Sequence, residues 1–563
     1  MTASPKIPEI TSWQGIPWPQ VEARVHTLQR RIYRAEQQGQ RRKVKSLQRL
    51  LLRSTSAKLL AVRRVTQDNQ GKKTPGVDGV ASLEPGERCL LVQHLNLGQP
   101  VQPVRRIWIP KPGTEEKRPL GIPTMSDRAT QALVKLALEP QWEARFEPNS
   151  YGFRPGRSCH DALEAIFNEI RYKPKYILDA DIAKCFDRID HPALLDKIDT
   201  FPLLRRLIRG WLKAGVMDGR QLFPTQAGTP QGGVLSPLLA NIALHGLEER
   251  VATAFPKTRK VAGKYERWTP AVIRYADDFV VLHPDHDVIR RCKEVIEEWL
   301  RGMGLELKPS KTSISHTLEE HEGKVGFDFL GFTVRQFRVG KHHTGQNGHG
   351  QPLGFKTLIT PSKRKVTAHR DRLKEMLRAL RTAPQEVLIA RLNPVIQGWA
   401  NYFRTAVSKA TFSKLDDWLF WALRRWACRR HPNKSVHWVV TRYWQLPRWD
   451  FATGNAVLTR HMETRIVRQV KVQGVKSPFD GDWLYWGSRW GHYPEVSPSL
   501  ARMLKEQQGR CASCRRCFFP GEDLIERHHK DGDRTNNKRS NLELLHGHCH
   551  DAVHRQRQAA DNP

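Results

Sequence analysis

The sequence predicts a multidomain α+β protein, and three observations favour this class. The chain has 563 residues, too many for a single hydrophobic core, so about two to four domains are expected. Its hydrophobic fraction of 39% is enough to build packed interiors. Residues 100–335 combine strand-like runs with helical patterns, whereas residues 21–65 and 363–435 show mainly helical spacing.

The net charge restricts the partners that this chain can have. The formal net charge is +36 and the isoelectric point is about 10.2. Self-repulsion on this scale is tolerable when a polyanion neutralises it, and the commonest polyanion is nucleic acid. A basic protein of the membrane surface is the alternative. No apolar run approaches the roughly 20 residues that crossing a bilayer requires, and residues 1–20 contain no apolar stretch typical of a secretory signal.

Cysteine usage indicates a reducing compartment and one metal site. Most of the nine cysteines are scattered, whereas Cys511, Cys514, Cys517 and Cys549 lie in one short tail. This distribution does not suggest a disulfide framework. We therefore expect a cytoplasmic protein, either bacterial or associated with an organellar nucleoid.

The chain divides into five predicted regions. Val21, Val25, Leu28 and Ile32 recur at helical spacing among arginines, so residues 1–90 are predicted to form a basic helical extension. A Gly/His-rich stretch near residue 345 has no periodicity and indicates a loop or a boundary. The other predicted regions are residues 91–345, 360–440, 441–500 and 501–563.

Two adjacent carboxylates, Asp277 and Asp278, lie between the apolar runs 271–273 and 279–282. Such a pattern predicts a β-hairpin with both aspartates at its tip. Adjacent exposed aspartates repel each other unless a cation lies between them. For residues 275–278 taken alone, an ordinary acidic turn is the alternative interpretation.

A third carboxylate follows the strand-like run at residues 176–178. Asp181 would end this strand, whereas Asp179 shares its face but is set back. With Asp277 and Asp278, Asp181 can hold two Mg²⁺ ions about 3.5–4 Å apart. Phosphoryl transfer needs little beyond such alignment and charge stabilisation.

Seven sequence blocks occur in an order that resembles reverse transcriptases, particularly those of group II introns. The blocks are residues 117–124, 151–158, the segment around Asp181, 229–237, 275–278, 307–312 and 329–332. The resemblance implies a right-hand polymerase fold, with fingers and palm in residues 91–345. It also implies RNA-directed DNA synthesis from deoxynucleoside triphosphates (dNTPs).

The resemblance assigns roles to side chains near the nucleotide. Lys111, Lys117 and Arg118 would bind the triphosphate, since guanidinium offers planar bidentate donors. A solvated basic loop is the alternative for these residues. Phe186 would stack under the sugar and exclude a 2′-hydroxyl, which selects dNTPs over ribonucleotides, unless it is only a core residue.

Two further residues take their roles from the same resemblance. Gln231, followed by Gly232 and Gly233, would let the backbone approach the nascent base pair closely. Lys311 would protonate the leaving pyrophosphate as a general acid, or would simply contact a phosphate. One Mg²⁺ ion would activate the primer 3′ oxygen while the other neutralises the pyrophosphate.

Basic and aromatic residues are interleaved in residues 360–440. Leu415, Leu419 and Leu423 recur every four residues and indicate a helix core. The arginines that follow, Arg424, Arg425, Arg429 and Arg430, suit RNA phosphates, and unpaired bases stack on rings. Each aromatic residue taken singly is explained by core packing. Residues 398–403 nevertheless resemble domain X of group II intron maturases, which serves as the polymerase thumb and binds intron RNA.

Residues 441–500 lie where that family carries a DNA-binding region, and position and basicity alone support this assignment. The tail at residues 501–563 has a clearer signature. Cys511, Cys514, His546 and Cys549 have the spacing of a tetrahedral zinc site. Cys517 is an alternative ligand in place of His546.

The centre of the tail resembles the HNH endonuclease ββα-metal motif. The resemblance makes His529 the general base that activates water, and His528 with His550 the ligands of a catalytic divalent ion. Asn541 would orient the fold or His529.

The combined pattern predicts a protein of a mobile group II intron. It would assist RNA splicing and reverse splicing, nick the second strand of the target DNA and prime cDNA synthesis there. A splicing factor without synthesis would be expected to lose Asp181 or the Asp277–Asp278 pair. A CRISPR-associated or retron polymerase ordinarily lacks both the domain X motif and this tail.

Overall fold

The computed structural model describes residues 12–110, 116–261, 263–490, 496–519 and 524–561. Lys111, predicted to bind the triphosphate, lies outside the described residues. Within those ranges, no helix combines the length and the apolarity needed to cross a lipid bilayer.

Three N-terminal helices pack onto a long helix that is buried on nearly every side, and one more N-terminal helix packs against the third of them. These helices are α1 (Trp18–Gln37), α2 (Arg41–Arg53), α3 (Thr55–Arg63), α4 (Pro85–His94) and α5 (Met125–Glu143). Helix α1 buries Val21, Val25 and Ile32, as their spacing predicted. Gln29 Nε2 donates to the Leu136 carbonyl at 3.1 Å. The extension and the polymerase region therefore share one hydrophobic core.

The described part of the polymerase region contains thirteen strands. They are β1 (Val104–Pro110), β2 (Lys117–Ile122), β3 (Tyr176–Asp181), β4 (Val216–Asp218), β5 (Gln221–Phe223), β6 (Thr258–Val261), β7 (Lys264–Arg267), β8 (Ala271–Tyr275), β9 (Asp278–His283), β10 (Ser313–His316), β11 (Phe327–Phe329), β12 (Phe332–Arg338) and β13 (Phe355–Pro361). The fingers sheet has the order β2-β1-β4-β5, and the palm sheet has the order β10-β3-β9-β8.

Among the residues that the structure describes, seven helices surround these sheets. They are α6 (Cys159–Ile170), α7 (Cys185–Arg188), α8 (His191–Ile198), α9 (Pro202–Lys213), α10 (Ser236–Leu244), α11 (Leu247–Thr253) and α12 (His286–Arg301). Asp190 caps α8, because its side chain accepts from the Ala193 amide at 2.8 Å.

Strand β9 is buried on both faces. Phe279 and Val281 belong to the core that includes α10 and α12, whereas Val280 and Leu282 belong to a second core beneath α6 and β12. Successive side chains of a strand point to opposite faces. The apolar run after Asp278 therefore fills two cores at once.

The palm extends beyond the boundary that the sequence predicted. Strand β13 pairs with β12 along its whole length, opposite Phe332 to Arg338. The Gly/His-rich stretch is the loop of this hairpin, so residue 345 does not end the domain. The stretch is therefore a loop, one of the two predicted alternatives, and the sequence did not indicate β13 because a pairing partner beyond an aperiodic loop leaves no local signal.

Helices form the thumb region, with a small sheet at its end. They are α13 (Lys363–Ala379), α14 (Gln385–Phe403), α15 (Lys409–Arg430) and α16 (Val436–Tyr443), and the strands are β14 (Trp444–Gln445), β15 (Asp450–Thr453) and β16 (Ala456–Val457). Trp444 and Phe451 lie in the thumb core. This core therefore continues into the region that the sequence assigned to DNA binding.

The domain X motif joins the thumb to the palm. The Tyr402 ring stacks on Phe332 with centroids 5.4 Å apart, and Phe403 lies 4.8 Å from the same ring. The Tyr402 hydroxyl donates to the Leu330 carbonyl at 2.9 Å. For Tyr402 and Phe403, core packing is thus the correct interpretation.

A strap at residues 466–490 returns from the thumb to the palm and includes α17 (Trp483–Trp490). Arg489 Nη2 lies 2.5 Å from the buried Asp161 carboxylate at the start of α6. Trp486 is 1% exposed. Gly156 approaches it so closely that a Cβ there would lie 2.5 Å from the ring. These residues of the predicted DNA-binding region therefore belong to the core.

The tail has a ββα arrangement. After α18 (Pro498–Glu506), the antiparallel strands β17 (Ile525–His529) and β18 (Leu542–His546) pair along their whole length, and α19 (Gly547–Asp561) follows. This topology agrees with the motif that the sequence resembles.

Candidate functional site

The sheet register brings the three predicted catalytic aspartates to one end of the palm. Asp181, the last residue of β3, pairs directly with Asp278, the first residue of β9. Asp277 lies in the turn between β8 and β9, so the predicted hairpin is confirmed. Ala276 in this turn has φ of +57°. Gly152 leaves room for it, because a Cβ there would lie 2.3 Å from the Ala276 nitrogen.

Arg274 holds the turn that carries Asp277 and Asp278 from beneath, and sequence reasoning missed it. Its guanidinium donates to Asn241 Oδ1 at 3.0 Å, to the Ala276 carbonyl at 3.0 Å and to Ser150 Oγ at 2.7 Å. Burial lowers the pKa of Arg274 to about 10. An arginine placed three residues before the aspartate pair was the only available signal.

The electrostatics of the aspartates favour a bound cation. Burial, and then the charges of Asp277 and Asp181, raise the pKa of Asp278 to about 6. Burial also raises the pKa of Asp277. Carboxylate oxygens are the ligands that Mg²⁺ prefers, and its charge would offset this repulsion. The residues present therefore fit magnesium.

The three aspartates are not drawn tightly together. Within the described ranges, groups of three or more potential metal ligands within 4.8 Å of one another occur in the tail and not here. Instead, Asp181 Oδ2 accepts a hydrogen bond from Lys311 Nζ at 2.6 Å. This hydrogen bond raises the pKa of Lys311, so the ammonium form is favoured.

Cations from two other elements face the aspartates. Lys117 and Arg118 are exposed on β2, and the Arg118 charge acts to lower the pKa of Asp277. Arg364, at the start of α13, does the same for Asp278. The sequence did not indicate Arg364, because it is distant in the chain and lies in a generally basic helix.

Phe186 and Gln231 line one cavity of about 440 Å³ between the fingers and the palm. Phe186 is half-buried and meets Phe153 edge to face, with centroids 6.2 Å apart. The Gln231 carbonyl accepts from the Gly121 amide at 2.6 Å. At Gly232, φ is +114° and a Cβ would lie 2.8 Å from the Gly121 carbonyl oxygen. The backbone at Gly232 therefore approaches strand β2 of the fingers sheet closely.

The thumb carries a strongly basic cleft of about 770 Å³ between α13 and α15. Seven of its lining residues are cationic, namely Arg370, Lys374, Arg378, Arg381, Arg425, Arg429 and Arg430. Asp371 is the acidic residue among the lining residues, and Trp418 and Trp426 contribute aromatic surface. Arg430 lies 4.7 Å from the Trp426 ring centroid. The cleft thus combines phosphate-binding and base-stacking groups.

Four side chains converge in the tail. One ligand atom from each of Cys511, Cys514, His546 and Cys549 lies within 4.8 Å of the others. Cys514 Sγ is 3.4 Å from His546 Nδ1. Hydrogen bonds with Cys514 and Cys549 lower the pKa of the Cys511 thiol, and the thiolate is the metal-binding form. Cys517 lies outside this group, so the geometry favours His546.

A second group consists of His528, His550 and His554. The first two were predicted, whereas His554 was missed, although its spacing of four residues from His550 places both on one helix face. His550 Nδ1 lies 2.7 Å from Glu526 Oε2. Burial lowers the pKa of His528 to about 4, which favours the neutral imidazole that binds metals.

His529 is separated from this group by strand alternation. Its Nε2 lies 3.4 Å from Asn537 Oδ1 in the connecting loop. Asn541 stabilises the same loop through two hydrogen bonds. Its side-chain Nδ2 donates to Asp531 Oδ1 at 2.8 Å, and its Oδ1 accepts from the backbone amide of Asp531 at 3.0 Å. Asn541 therefore orients the fold of the tail.

Three domain families match this chain. The family described as reverse transcriptase (RNA-dependent DNA polymerase) matches residues 109–334. The N-terminal domain of reverse transcriptase matches residues 13–95. The group II intron maturase-specific domain matches residues 366–444.

Curated relatives agree with these matches. The group II intron-encoded protein LtrA of Lactococcus lactis is 32% identical over 329 residues, which are 48% of this chain and 54% of LtrA. Protein YkfC of Escherichia coli is 33% identical over 324 residues, which are 51% of this chain and 82% of YkfC. The match thus spans about half the length of LtrA.

The fold and the palm site define a reverse transcriptase with a maturase-specific domain. The chain belongs to the family of group II intron-encoded reverse transcriptases and maturases.

The ligand choice in the tail can be tested by comparing two substitutions. His546→Ala should lose the bound zinc and unfold the tail, because a structural zinc site contributes directly to folding. Cys517→Ala, the matched control, should keep both the zinc and the fold. Zinc content after gel filtration and thermal unfolding of the tail measure the two effects, and the reverse result would show that Cys517 is the ligand.

Proposed function

We propose that this protein is the RNA-directed DNA polymerase and maturase of a mobile group II intron. It assists splicing and reverse splicing of the intron RNA, nicks the second strand of the target DNA and performs target-primed cDNA synthesis. The pairing of Asp181 with Asp278 beside Asp277 carries this proposal. Three carboxylates at the end of a two-sided sheet are what metal-assisted phosphoryl transfer requires.

The polymerase site would hold Mg²⁺ on Asp181, Asp277 and Asp278. The ions supply charge stabilisation for nucleotidyl transfer. Lys311, already hydrogen-bonded to Asp181, is placed to donate a proton to pyrophosphate or to contact a phosphate oxygen. Lys117 and Arg118, with Lys111 by resemblance, bind the dNTP triphosphate, and Gln231 contacts the nascent pair.

Intron RNA is the partner that best fits the thumb cleft. Seven cations around a single carboxylate repel one another until phosphates neutralise them. Arg425, Arg429 and Arg430, which the sequence assigned to RNA, line this cleft. Trp418 adds a surface on which an unpaired base can stack.

The tail would act as an HNH endonuclease with two metal ions in different roles. Zinc on Cys511, Cys514, His546 and Cys549 would hold the fold. A divalent ion on His528, His550 and His554 would face the scissile phosphate of the target DNA, while His529 removes a proton from water. None of the nine cysteines is paired in a disulfide, which suits a reducing compartment such as the cytoplasm.

Removing the paired carboxylates should separate synthesis from splicing. Asp277→Ala with Asp278→Ala should reduce primer extension at least ~100-fold, because the charge-stabilising site is lost. Intron splicing should remain near the wild-type level, since RNA affinity comes from dispersed basic surface. Asp287→Ala, which removes an exposed carboxylate on α12, is the control. Primer extension that survives in the double variant would contradict the active-site assignment.

Phe186 can be tested as the sugar-selecting residue. Phe186→Val should raise ribonucleotide incorporation relative to deoxyribonucleotide by roughly tenfold, the usual effect of steric discrimination in a pocket. Single-nucleotide extension with matched rNTP and dNTP measures this ratio. Phe337→Val, at an exposed position on β12, should leave the ratio unchanged. An active Phe186 variant with an unaltered ratio would show that the ring only packs.

His529 can be removed without disturbing the zinc group, because it is not among the four residues whose ligand atoms converge there. His529→Ala should lower second-strand nicking ~100-fold or more, the usual contribution of a general base. Zinc content and reverse splicing into the first strand should be retained. His342→Ala, in the loop between β12 and β13, serves as control. Full nicking by His529→Ala would assign the base to another residue.

A further inference from the structure

We infer that the N-terminal extension positions the tail, through an interface that joins Glu22, Gln67 and His26 to His548, Asp551 and Phe519. The contacts between the extension and the tail do not depend on whether the tail is a nuclease. Their consequence for DNA cleavage rests on the proposed nuclease function.

A buried chain of ionisable groups forms the centre of this interface. Arg63 Nη1 lies 2.9 Å from Glu22 Oε1, and His548 Nδ1 lies 3.4 Å from the same oxygen. All three side chains are at most 5% exposed. A buried charge is costly unless it is paired. Since Glu22 and His548 lie at opposite ends of the chain, their joint burial requires the tail to be docked.

An aromatic cluster around Phe519 forms the second part of this interface. Phe519 is 1% exposed and stacks on His26 of α1 with centroids 4.9 Å apart. Its other neighbours are Tyr33 of α1 and Phe479 of the strap, which are also buried. Undocking the tail would return this aromatic surface to water, at a cost proportional to the apolar area exposed.

A third contact joins the extension to α19. Gln67 Nε2 donates to Asp551 Oδ2 at 3.4 Å, and Gln67 Oε1 accepts from Trp13 Nε1 at 3.1 Å. His548 and Asp551, three residues apart, therefore face the extension. His550 and His554 face His528 of β17 instead. Helix α19 therefore lies between the N-terminal extension and the group formed by His528, His550 and His554.

This arrangement has a consequence for where the DNA is cut. The histidine group lies about one helix diameter, ~10 Å, from the extension. The extension shares its core with the palm, so the nuclease site has a defined place relative to the polymerase. A tethered domain would instead sample many positions. Docking predicts one dominant nick position on the second strand.

Two substitutions in the extension test the interface while the tail sequence stays intact. His26→Ala with Gln67→Ala, which leaves the buried Arg63–Glu22 pair intact, should increase amide hydrogen exchange at residues 547–551 by roughly tenfold, the effect of losing about 1.4 kcal/mol of docking free energy. Nick positions on a defined DNA target should spread from one dominant site to several. Zinc content and primer extension should be retained, and Thr27→Ala, at an exposed position on α1, should behave as wild type.

The outcomes separate the interface from the nuclease. A single unchanged nick position together with unchanged exchange would overturn the inference. If the wild-type protein nicks no DNA, the nuclease proposal fails, and hydrogen exchange still decides whether the extension holds the tail. A fall in nicking with loss of zinc would show general destabilisation of the tail, which also contradicts a positioning role.

Discussion

The palm must hold three like charges, those of Asp181, Asp277 and Asp278, close together at one end of its sheet, and the rest of the structure depends on this constraint. The register that pairs Asp181 with Asp278 forces two carboxylates, with Asp277 beside them, into a partly buried corner. Their mutual repulsion opposes folding unless the strands are held from elsewhere. Strand β9 provides this support because both of its faces are filled by separate cores. Arg274 adds to it by hydrogen-bonding the catalytic turn.

The two cores explain why distant segments return to the palm. The thumb contributes Tyr402 and Phe403 to the core beneath α6, and the strap contributes Trp486. Arg489 then pairs with Asp161 inside the same region. Thumb, strap and palm therefore stabilise one another, and the catalytic hairpin depends on residues that follow it by more than two hundred positions. Aromatic residues that suggested nucleic-acid contacts are required here for packing.

The accuracy of the sequence predictions followed the range of the interactions. The hairpin that carries Asp277 and Asp278 depends on neighbouring residues, so the alternation of apolar and polar positions indicated it. His554 was detectable by its spacing from His550 and was overlooked. Strand β13 and the positions of Arg274 and Arg364 depend on pairings across long stretches of chain. Such contacts leave no periodic signal, because two paired segments can be separated by loops of very different lengths.

The excess of positive charge is divided between two physical environments. Where arginine is buried it has a partner, as Arg63 has Glu22, Arg154 has Glu143 and Arg489 has Asp161. These pairs serve the fold, because an unpaired buried charge would be too costly. The thumb cleft is different, since seven cations there face one carboxylate. Folding gains nothing from such crowding. The cleft therefore concentrates part of the net charge on an accessible surface, where phosphate groups would neutralise it.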